Sequence, residues 1–157
     1  MSTNTKKGPV KGKKAPAFSG PDQNGKIRSL EEFSGKKLVL YFYPKDNTPT
    51  CTVEACDLRD NYKRLKKAGY NILGVSADSA KRHQNFISKF DLPFDLLADE
   101  DQTICKAYNV WGEKSMFGKK YMGIIRTTFI INEEGIIEDI IEKVESKRHS
   151  EQILAGK

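Results

Sequence analysis

The sequence predicts an α/β fold in which a mixed central β-sheet is flanked by helices on both faces. Strand-like and helix-like segments alternate through the middle of the chain, as they do where helices join parallel strands. Residues 38–43 form a continuous apolar and aromatic run, which is typical of a strand covered on both faces. Residues 132–135, Asn-Glu-Glu-Gly, separate two apolar runs and predict a hairpin.

The first half of the chain contains two predicted strands, each followed by a helix. The central strand at residues 38–43 leads into a helix over residues 51–68, in which apolar residues recur at helical spacing. Gly69 ends this helix as a C-terminal cap. The next strand covers residues 71–76, and an amphipathic helix follows it over residues 79–90.

The second half of the chain supplies the rest of the predicted sheet. A proline opens a short strand over residues 94–97, and a helix follows over residues 101–108. Strands over residues 127–131 and 136–143 flank the hairpin loop. A last helix covers residues 146–154. The predicted order is thus alternating strands and helices, followed by an antiparallel hairpin and this helix.

The positive charge of the chain is concentrated at its N-terminus. The net charge is +6, and residues 1–14 contribute +5 of it, which leaves +1 for the remainder. The lysines responsible are Lys6, Lys7, Lys11, Lys13 and Lys14. We therefore expect residues 1–14 to form a basic, disordered tail and residues 15–157 to form one domain. That domain has no basic stripe interleaved with aromatic residues, so we expect no specific nucleic-acid partner.

The sequence predicts a cytoplasmic protein without a membrane partner. No apolar run approaches the roughly 18 residues needed to cross a bilayer, and the N-terminal residues lack the apolar segment of a secretory signal. Cytoplasmic thiols stay reduced unless they cycle during a reaction. No Gly-x-Gly-x-x-Gly motif follows a predicted strand, so we expect no nicotinamide or flavin cofactor.

Two thiols lie five residues apart where the central strand turns into a helix. Cys51 falls in the first helical turn, where unpaired N–H groups and the positive end of the helix dipole stabilise a thiolate. Cys56 lies about 7.5 Å further along the same helix axis. That distance exceeds the ~7 Å Cα separation that a disulfide tolerates. A bond between the two thiols would therefore require the first turns of the helix to unwind.

The order of the elements is similar to the thioredoxin fold, but Cys-x4-Cys differs from the Cys-x-x-Cys of thioredoxin-type exchange proteins. With Pro44 and Thr48 ahead of Cys51, the segment resembles the peroxidatic signature of peroxiredoxins. The resemblance is narrower still to the bacterioferritin comigratory protein branch, also called peroxiredoxin Q, and covers about residues 9–155. The motifs that carry it are Tyr43-Pro44, Thr48-Pro49, Cys51-Thr52, Glu54-Ala55-Cys56, Val110-Trp111-Gly112-Glu113-Lys114 and Arg126-Thr127-Thr128-Phe129-Ile130.

This resemblance implies a role for each residue of the signature. Cys51 would attack a peroxide oxygen and become a sulfenic acid. The Thr48 hydroxyl, the backbone N–H of Cys51 and the Arg126 guanidinium would stabilise the leaving oxygen as its charge develops. Pro44 would shield the sulfur, and Glu54 would hold the arginine in place. The residues alone do not distinguish Arg126 from the other arginines of the chain.

The resemblance also implies how the cycle would close. Cys56 would attack the Cys51 sulfenic acid and form an intrachain disulfide, which protects the nucleophile from over-oxidation. A thioredoxin-type dithiol reductant would then restore both thiols. The substrates would be hydrogen peroxide and organic hydroperoxides, and we expect a monomer with at most a weak dimer.

Several other interpretations of the cysteines stay open. The chain could be a disulfide oxidoreductase that acts on proteins, or a non-catalytic binding module of the same fold whose cysteines are packed. A zinc site would use the three cysteines with a histidine, but their spacing matches no zinc motif. Two histidines, His83 and His149, lie in charged segments that predict solvated positions, which disfavours a Cys-His hydrolase. We expect Cys105 and Trp111 to serve packing.

One residue departs from the resemblance. Most members of the branch have glycine just before the peroxidatic cysteine, whereas this chain has Thr50. A β-branched residue restricts the conformation of the backbone where the strand turns into the helix. We therefore expect Thr50 to tune the rate or the ease of unwinding without abolishing activity.

Overall fold

The structure, a computed structural model, describes residues 8–155. The strands in that range are β1 (Ser19–Pro21), β2 (Ile27–Ser29), β3 (Lys37–Phe42), β4 (Tyr70–Ser76), β5 (Asp95–Ala98), β6 (Trp111–Met116), β7 (Lys119–Ile124), β8 (Thr127–Ile131) and β9 (Ile137–Ile141). The α-helices are α1 (Pro49–Asp60), α2 (Tyr62–Lys67), α3 (Ala80–Phe90), α4 (Thr103–Ala107) and α5 (His149–Ala155), and 3-10 turns cover Leu30–Phe33 and Ser146–Arg148. Within the described residues, no helix combines the length and apolar character needed to cross a membrane.

Five strands form a mixed central sheet in the order β5-β4-β3-β8-β9. The three strands β3, β4 and β5 are parallel, and β8 pairs antiparallel with β3 and with β9. The strand that precedes Cys51 therefore lies at the centre of the sheet, with a partner on each side. Two short antiparallel hairpins, β1-β2 and β6-β7, lie outside this sheet.

The central strand divides the core into two apolar clusters. Its side chains alternate between faces, so Leu38, Leu40 and Phe42 enter one cluster while Val39 and Tyr41 enter the other. The second cluster also includes residues of α1, α2, α3 and α5, whereas the first includes residues of α4. Helices thus cover both faces, and the predicted α/β fold with a mixed sheet is confirmed.

The predicted helix over residues 51–68 is two helices. It begins earlier, at Pro49, because proline suits the first helical position, where its missing N–H costs nothing. It breaks at Asn61, whose side-chain amide donates to the carbonyl oxygen of Asp57 at 2.9 Å. A short polar side chain bound to its own backbone competes with helix continuation. Gly69 follows α2 with a φ of +95°, as a C-terminal cap requires.

The β6-β7 hairpin was not predicted from the sequence. Its strands are polar and mostly exposed, so they carry little of the apolar alternation that marks a half-buried strand. Phe117 and Gly118 form its two-residue tip, both with positive φ, which is the conformation of the tightest hairpin turns. The hairpin ends at Ile124, directly before the segment that carries Arg126.

Residues 8–14, which were predicted to belong to a disordered basic tail, are held by backbone hydrogen bonds to the rest of the structure. Gly12 N–H donates to the carbonyl oxygen of Ile137 at 2.8 Å, and Ile137 N–H donates to that of Lys13 at 2.9 Å. This part of the expected disordered tail therefore runs along the start of β9, because the backbone there finds an unpaired strand edge. Residues 1–7 lie outside the described residues.

Candidate active site

The N-terminus of α1 lies at the carboxyl end of the central strand. Thr48 is the N-cap residue, in extended conformation, and Pro49 is the first helical residue. Cys51 is therefore the third helical residue, and it is only 2% exposed. Thr50 lies between Pro49 and Cys51 with its side chain exposed, so the helix accommodates this β-branched residue without burying it.

The antiparallel pairing of β8 with β3 brings an arginine to the same place. Thr127, the first residue of β8, lies opposite Phe42, the last residue of β3. Arg126 therefore lies beside the loop that leads to Cys51, although 75 residues separate the two in sequence. Its Nη2 donates to Cys51 Sγ at 3.2 Å. A fixed cation at this distance stabilises negative charge that develops on the sulfur.

The same guanidinium binds a fully buried carboxylate. Arg126 Nη1 donates to Oε1 of Glu54 at 2.5 Å, and the Glu54 side chain is 0% exposed. Glu54 lies on α1, three residues after Cys51, so one helix carries both groups that the arginine contacts. Cys51, Arg126 and Glu54 thus form a continuous polar row from the sulfur into the protein.

Burial changes the pKa values of the ionisable groups in this row. It raises the pKa of Glu54 from its ordinary value of 4.5 to about 7, although Arg126 acts in the opposite direction. Burial alone would lower the pKa of Arg126, but the neighbouring Glu54 carboxylate and Cys51 sulfur outweigh it and raise that pKa. The arginine therefore stays charged, whereas Glu54 changes its protonation state near neutral pH.

Replacing Glu54 with glutamine should change how stability depends on pH. Between pH 4.5 and about pH 7, Glu54 in the folded chain holds a proton that Glu54 in the unfolded chain has released. The free energy of unfolding therefore falls as the pH rises through this window, and the Glu54 contribution is fully present below it. At ~1.4 kcal/mol per pH unit, the loss is on the order of 3 kcal/mol.

Glu54→Gln removes this titration, so the variant should gain stability relative to wild type as the pH rises. Urea unfolding at about pH 5 and about pH 8 measures the difference. A stability difference that stays constant between the two conditions would show that Glu54 does not titrate in this window.

The structure places two more predicted site residues next to this row. Thr48 lies three residues before Cys51, and its hydroxyl donates to the carbonyl oxygen of Lys45 at 2.9 Å. The Thr52 N–H donates to the Thr48 carbonyl oxygen at 2.8 Å, which fixes the first helical turn. Pro44 is half-buried in the loop between β3 and α1. Both residues therefore lie on the short segment that positions the sulfur.

Cys56 lies on α1 with Cys51, and both thiols are free. Five residues of a regular helix separate them by roughly 7.5 Å along the axis and roughly 140° around it. Cys105 is also free and fully buried, and burial raises the pKa of its thiol far above the ordinary value. Its backbone N–H donates to Asp99 at 2.8 Å, so α4 holds it in the core.

A buried polar cluster anchors the loop that carries Pro44 and Thr48. Asp46 accepts the Tyr43 hydroxyl on one oxygen, and its other oxygen lies 2.6 Å from Nδ1 of His83. Among the described residues, Asp46, Asp78 and His83 are the group whose atoms lie close enough to hold a metal ion. Their hydrogen-bonding groups already satisfy one another, since Asp78 accepts the backbone N–H of Asp46 at 2.8 Å.

Both histidines correct a sequence-based expectation. The prediction of solvated positions was wrong, because His83 and His149 are each 0% exposed. Burial lowers the pKa of His149, and its Nε2 lies 3.6 Å from Oε2 of Glu54. Helical spacing indicated the burial of His149, because Ile153 follows it by four residues and lies on the same buried face of the helix.

Lys114 is a second residue near the site that sequence reasoning did not select. It lies on β6, and its ammonium donates to the carbonyl oxygen of Ile124 at 2.9 Å. Burial lowers its pKa, the charge on Arg126 adds to that effect, and the sulfur of Cys51 opposes it. The β6-β7 hairpin thus brings a second positive charge into the electrostatic surroundings of Cys51.

Comparison with known proteins identifies the family of the chain. Residues 11–140 match the AhpC/TSA family. The chain belongs to the AhpC/TSA family. A putative peroxiredoxin bcp of Coxiella burnetii is 51% identical over 143 residues, which are 91% of this chain and 95% of that protein. Peroxiredoxin Bcp of Escherichia coli is 46% identical over 140 residues, which are 89% of this chain and 90% of that protein.

Solved structures of the same family have the same fold. Peroxiredoxin Q of Xanthomonas campestris has a TM-score of 0.82 and 40% identity, with 88% of this chain and 87% of that chain covered. PrxQ of Xylella fastidiosa has a TM-score of 0.88 and 30% identity, with 96% of each chain covered. The predicted resemblance to the bacterioferritin comigratory protein branch of peroxiredoxins is confirmed, and with it the thioredoxin-like fold.

Proposed function

We propose that this peroxiredoxin reduces peroxides through Cys51. The thiolate attacks one peroxide oxygen, a sulfur–oxygen bond forms, and the oxygen–oxygen bond breaks. The departing hydroxide or alkoxide takes up a proton and leaves as water or an alcohol, while Cys51 becomes a sulfenic acid. The observation that carries this proposal is the Arg126 guanidinium, which donates to Cys51 Sγ and to the buried Glu54 carboxylate.

The surroundings of Cys51 suit the charge that develops in this step. Negative charge moves from the sulfur to the leaving oxygen, so fixed donors beside both atoms lower the barrier. We assign Arg126, the backbone N–H of Cys51 and the Thr48 hydroxyl to this task. For Thr48, the hydroxyl must turn from the Lys45 carbonyl oxygen toward the peroxide. We assign to Pro44 the shielding of the sulfur from water.

Cys56 is the proposed resolving thiol. Its sulfur attacks the sulfenic sulfur of Cys51, a disulfide forms, and the sulfenic oxygen leaves as water. The helix must first unwind, which breaks the contact of Arg126 with Glu54 and that of Asp57 with the backbone N–H of Ser150, at 2.7 Å. The break at Asn61 offers a natural end to the unwound segment. Thr50, at the start of that segment, is the residue that we propose to tune it.

A dithiol reductant of the thioredoxin type completes the proposed cycle. One of its thiolates attacks the Cys51–Cys56 disulfide, the second resolves the mixed disulfide, and the reductant leaves oxidised while both thiols return. We propose this exchange in the cytoplasm, with hydrogen peroxide and organic hydroperoxides as substrates. A bacterioferritin comigratory protein of Xanthomonas campestris, 40% identical, is described by its alkyl peroxide reduction activity, which supports the second substrate class.

Peroxide consumption by the reduced wild-type chain with a thioredoxin system tests the proposed function. We expect catalytic turnover with hydrogen peroxide and with an organic hydroperoxide. In Cys56→Ser, we expect one equivalent of peroxide to be consumed and a sulfenic acid to remain on Cys51, where dimedone traps it. Reduction of insulin disulfides without peroxide turnover would instead identify a protein disulfide oxidoreductase. An unreactive Cys51 would indicate a non-catalytic module.

A further inference from the structure

Within residues 8–155, one oxygen of the Glu54 carboxylate has no hydrogen-bond partner. Oε1 accepts from Arg126, whereas Oε2 is buried and unpaired. The polar atom of His149 that faces it is Nε2, at 3.6 Å. Both side chains are fully buried, but Nε2 has a partner in the Thr128 hydroxyl at 2.8 Å, whereas Oε2 does not. A buried unpaired carboxylate oxygen is costly, and this one lies at the inner end of the row that begins at Cys51.

The hydrogen bonds of Gln152 fix which nitrogen of His149 carries the proton. Gln152 Nε2 donates to the carbonyl oxygen of Lys143 at 2.9 Å, and its Oε1 accepts the backbone N–H of Glu145 at 2.9 Å. The amide orientation is therefore set, with Oε1 facing Nδ1 of His149 at 2.8 Å. Nδ1 must be the donor in this pair. In the neutral imidazole, Nε2 is then an acceptor.

This assignment places two acceptors opposite each other. In a neutral His149, the single Nε2 lone pair accepts from the Thr128 hydroxyl at 2.8 Å, so Nε2 offers no proton to an ionised Oε2 of Glu54, 3.6 Å away. One added proton gives the pair a donor. A protonated Oε2 can donate to Nε2 once the Thr128 hydroxyl turns away, and a protonated Nε2 can donate to Oε2, in each case after a small approach. We propose that Glu54 and His149 share one proton and that His149 thereby positions the Arg126 guanidinium at Cys51.

The other groups around the pair are consistent with a single shared proton. Arg126 favours a charged Glu54, whereas Asp57, on the next turn of α1, disfavours it. Asp57 favours a charged His149, and Arg126 disfavours it. From β8, the Thr128 hydroxyl lies 2.8 Å from Nε2, where it donates to a neutral His149 and accepts from a protonated one. Tyr41 adds only a neutral hydroxyl, because burial raises its pKa well above the ordinary value.

The protonation preferences of the two groups place the proton on Glu54. Burial raises the pKa of Glu54 to about 7 and lowers the pKa of His149. Below about pH 7, Glu54 is therefore a neutral acid that can donate to His149. Above this pH, Glu54 is a carboxylate that pairs fully with Arg126. His149 contacts neither the sulfur nor the peroxide in this scheme, so it is a positioning residue that acts through Glu54.

This inference rests on the proposed function for its effect on peroxide reduction, but the shared proton can be tested without any activity. In ¹⁵N spectra of wild type, the Nε2 resonance of His149 should shift with a midpoint near pH 7, where Glu54 titrates. A His83→Gln variant assigns the signal, because the chain has two histidines. Glu54→Gln should remove this step. A His149 signal that titrates identically in wild type and Glu54→Gln would overturn the proposal.

The rate of Cys51 oxidation by hydrogen peroxide, measured in a single turnover between pH 5.5 and 8.5, tests the positioning role. Glutamine at position 149 can donate permanently to Oε2 and so favour the carboxylate. The rate constant should rise with pH as Glu54 becomes a carboxylate. We expect His149→Gln to lower the midpoint of this rise by about one pH unit. In the Glu54→Gln background, the same substitution should change the rate constant by less than about two-fold, because the carboxylate is gone.

Ser150→Ala is the matched control. It removes a neighbouring buried hydroxyl that has no hydrogen-bond partner in the described part of the chain, and it leaves Nε2 of His149 untouched. We expect its pH profile to overlay that of wild type. A His149→Gln profile that also overlays wild type, or effects of His149→Gln and Glu54→Gln that multiply, would contradict the positioning role. A wild-type chain that fails to react with peroxide would contradict the proposed function instead, and the ¹⁵N titration would still decide the shared proton.

Discussion

Replacing Cys51 with serine is expected to abolish peroxide consumption, with a loss of at least about 1000-fold. A hydroxyl is far less acidic than a thiol, so almost no nucleophilic anion forms at neutral pH. The site would still hold Arg126 and Glu54, because serine is nearly isosteric with cysteine and Cys51 contributes only its sulfur to the row. The measurement is peroxide loss over time with a thioredoxin system as reductant.

The Cys56→Ser variant is the internal control for this result. It keeps the nucleophile, so the first turnover should proceed at close to the wild-type rate while later turnovers fail or slow. Circular dichroism and the unfolding midpoint of both variants exclude a folding defect. Substantial steady-state activity in Cys51→Ser would mean that another residue attacks the peroxide, and the assignment of the site would fail.

Replacing Arg126 with methionine is expected to have the second largest effect. The guanidinium donates to the sulfur at 3.2 Å and to Glu54 at 2.5 Å, so its loss removes a fixed cation beside the charge that moves during the reaction. Losing one donor of this kind lowers a rate by about 100-fold to 1000-fold. The single-turnover rate constant of the reduced chain with hydrogen peroxide measures the effect without involving the reductant.

Two further variants separate geometry from charge. Arg126→Lys keeps a positive charge but lacks the planar pair of donors that spans Cys51 and Glu54, so we expect a rate between those of wild type and Arg126→Met. Arg64→Met removes an exposed arginine of α2 that donates to Asn61. We expect it to react like wild type. Equal losses in Arg64→Met and Arg126→Met would mean that net charge, rather than the contact with the sulfur, drives the reaction.

Local patterns in the sequence were sufficient for the framework of the fold. The apolar run at residues 38–43 is the central strand within one residue, and the strand at Thr127–Ile131 was predicted with its observed bounds. Cys51 could be placed at a helix N-terminus because the run ends just before it. These features depend on neighbours in sequence, so periodicity and turn residues are enough to predict them.

The rest of the site depends on contacts between distant segments. Nothing local distinguishes Arg126 from Arg64, because its position follows from the pairing of β8 with β3. The resemblance to peroxiredoxins selected Arg126, and the structure places its Nη2 3.2 Å from Cys51 Sγ. His149 was misjudged because charged neighbours in the sequence suggested a solvated segment, whereas α5 buries this side chain beside Glu54 of α1. Only the tertiary packing reveals that it faces Glu54.

The structure also gives the helix that carries both cysteines a defined length. The reduced form keeps α1 folded, which holds Cys51 and Glu54 against Arg126. The proposed resolution by Cys56 would require the same helix to open, and the break at Asn61 separates it from α2. Activation and the proposed resolution are therefore two states of one short helix, and the disulfide cannot form while α1 stays folded.

Mass spectrometry combined with hydrogen exchange after one equivalent of peroxide tests this central claim most directly. We predict a Cys51–Cys56 disulfide, with protection from exchange lost across Pro49–Asp60 and retained across Tyr62–Lys67. A stable Cys51–Cys105 bond, a disulfide between two chains, or full protection of α1 in the oxidised protein would contradict it.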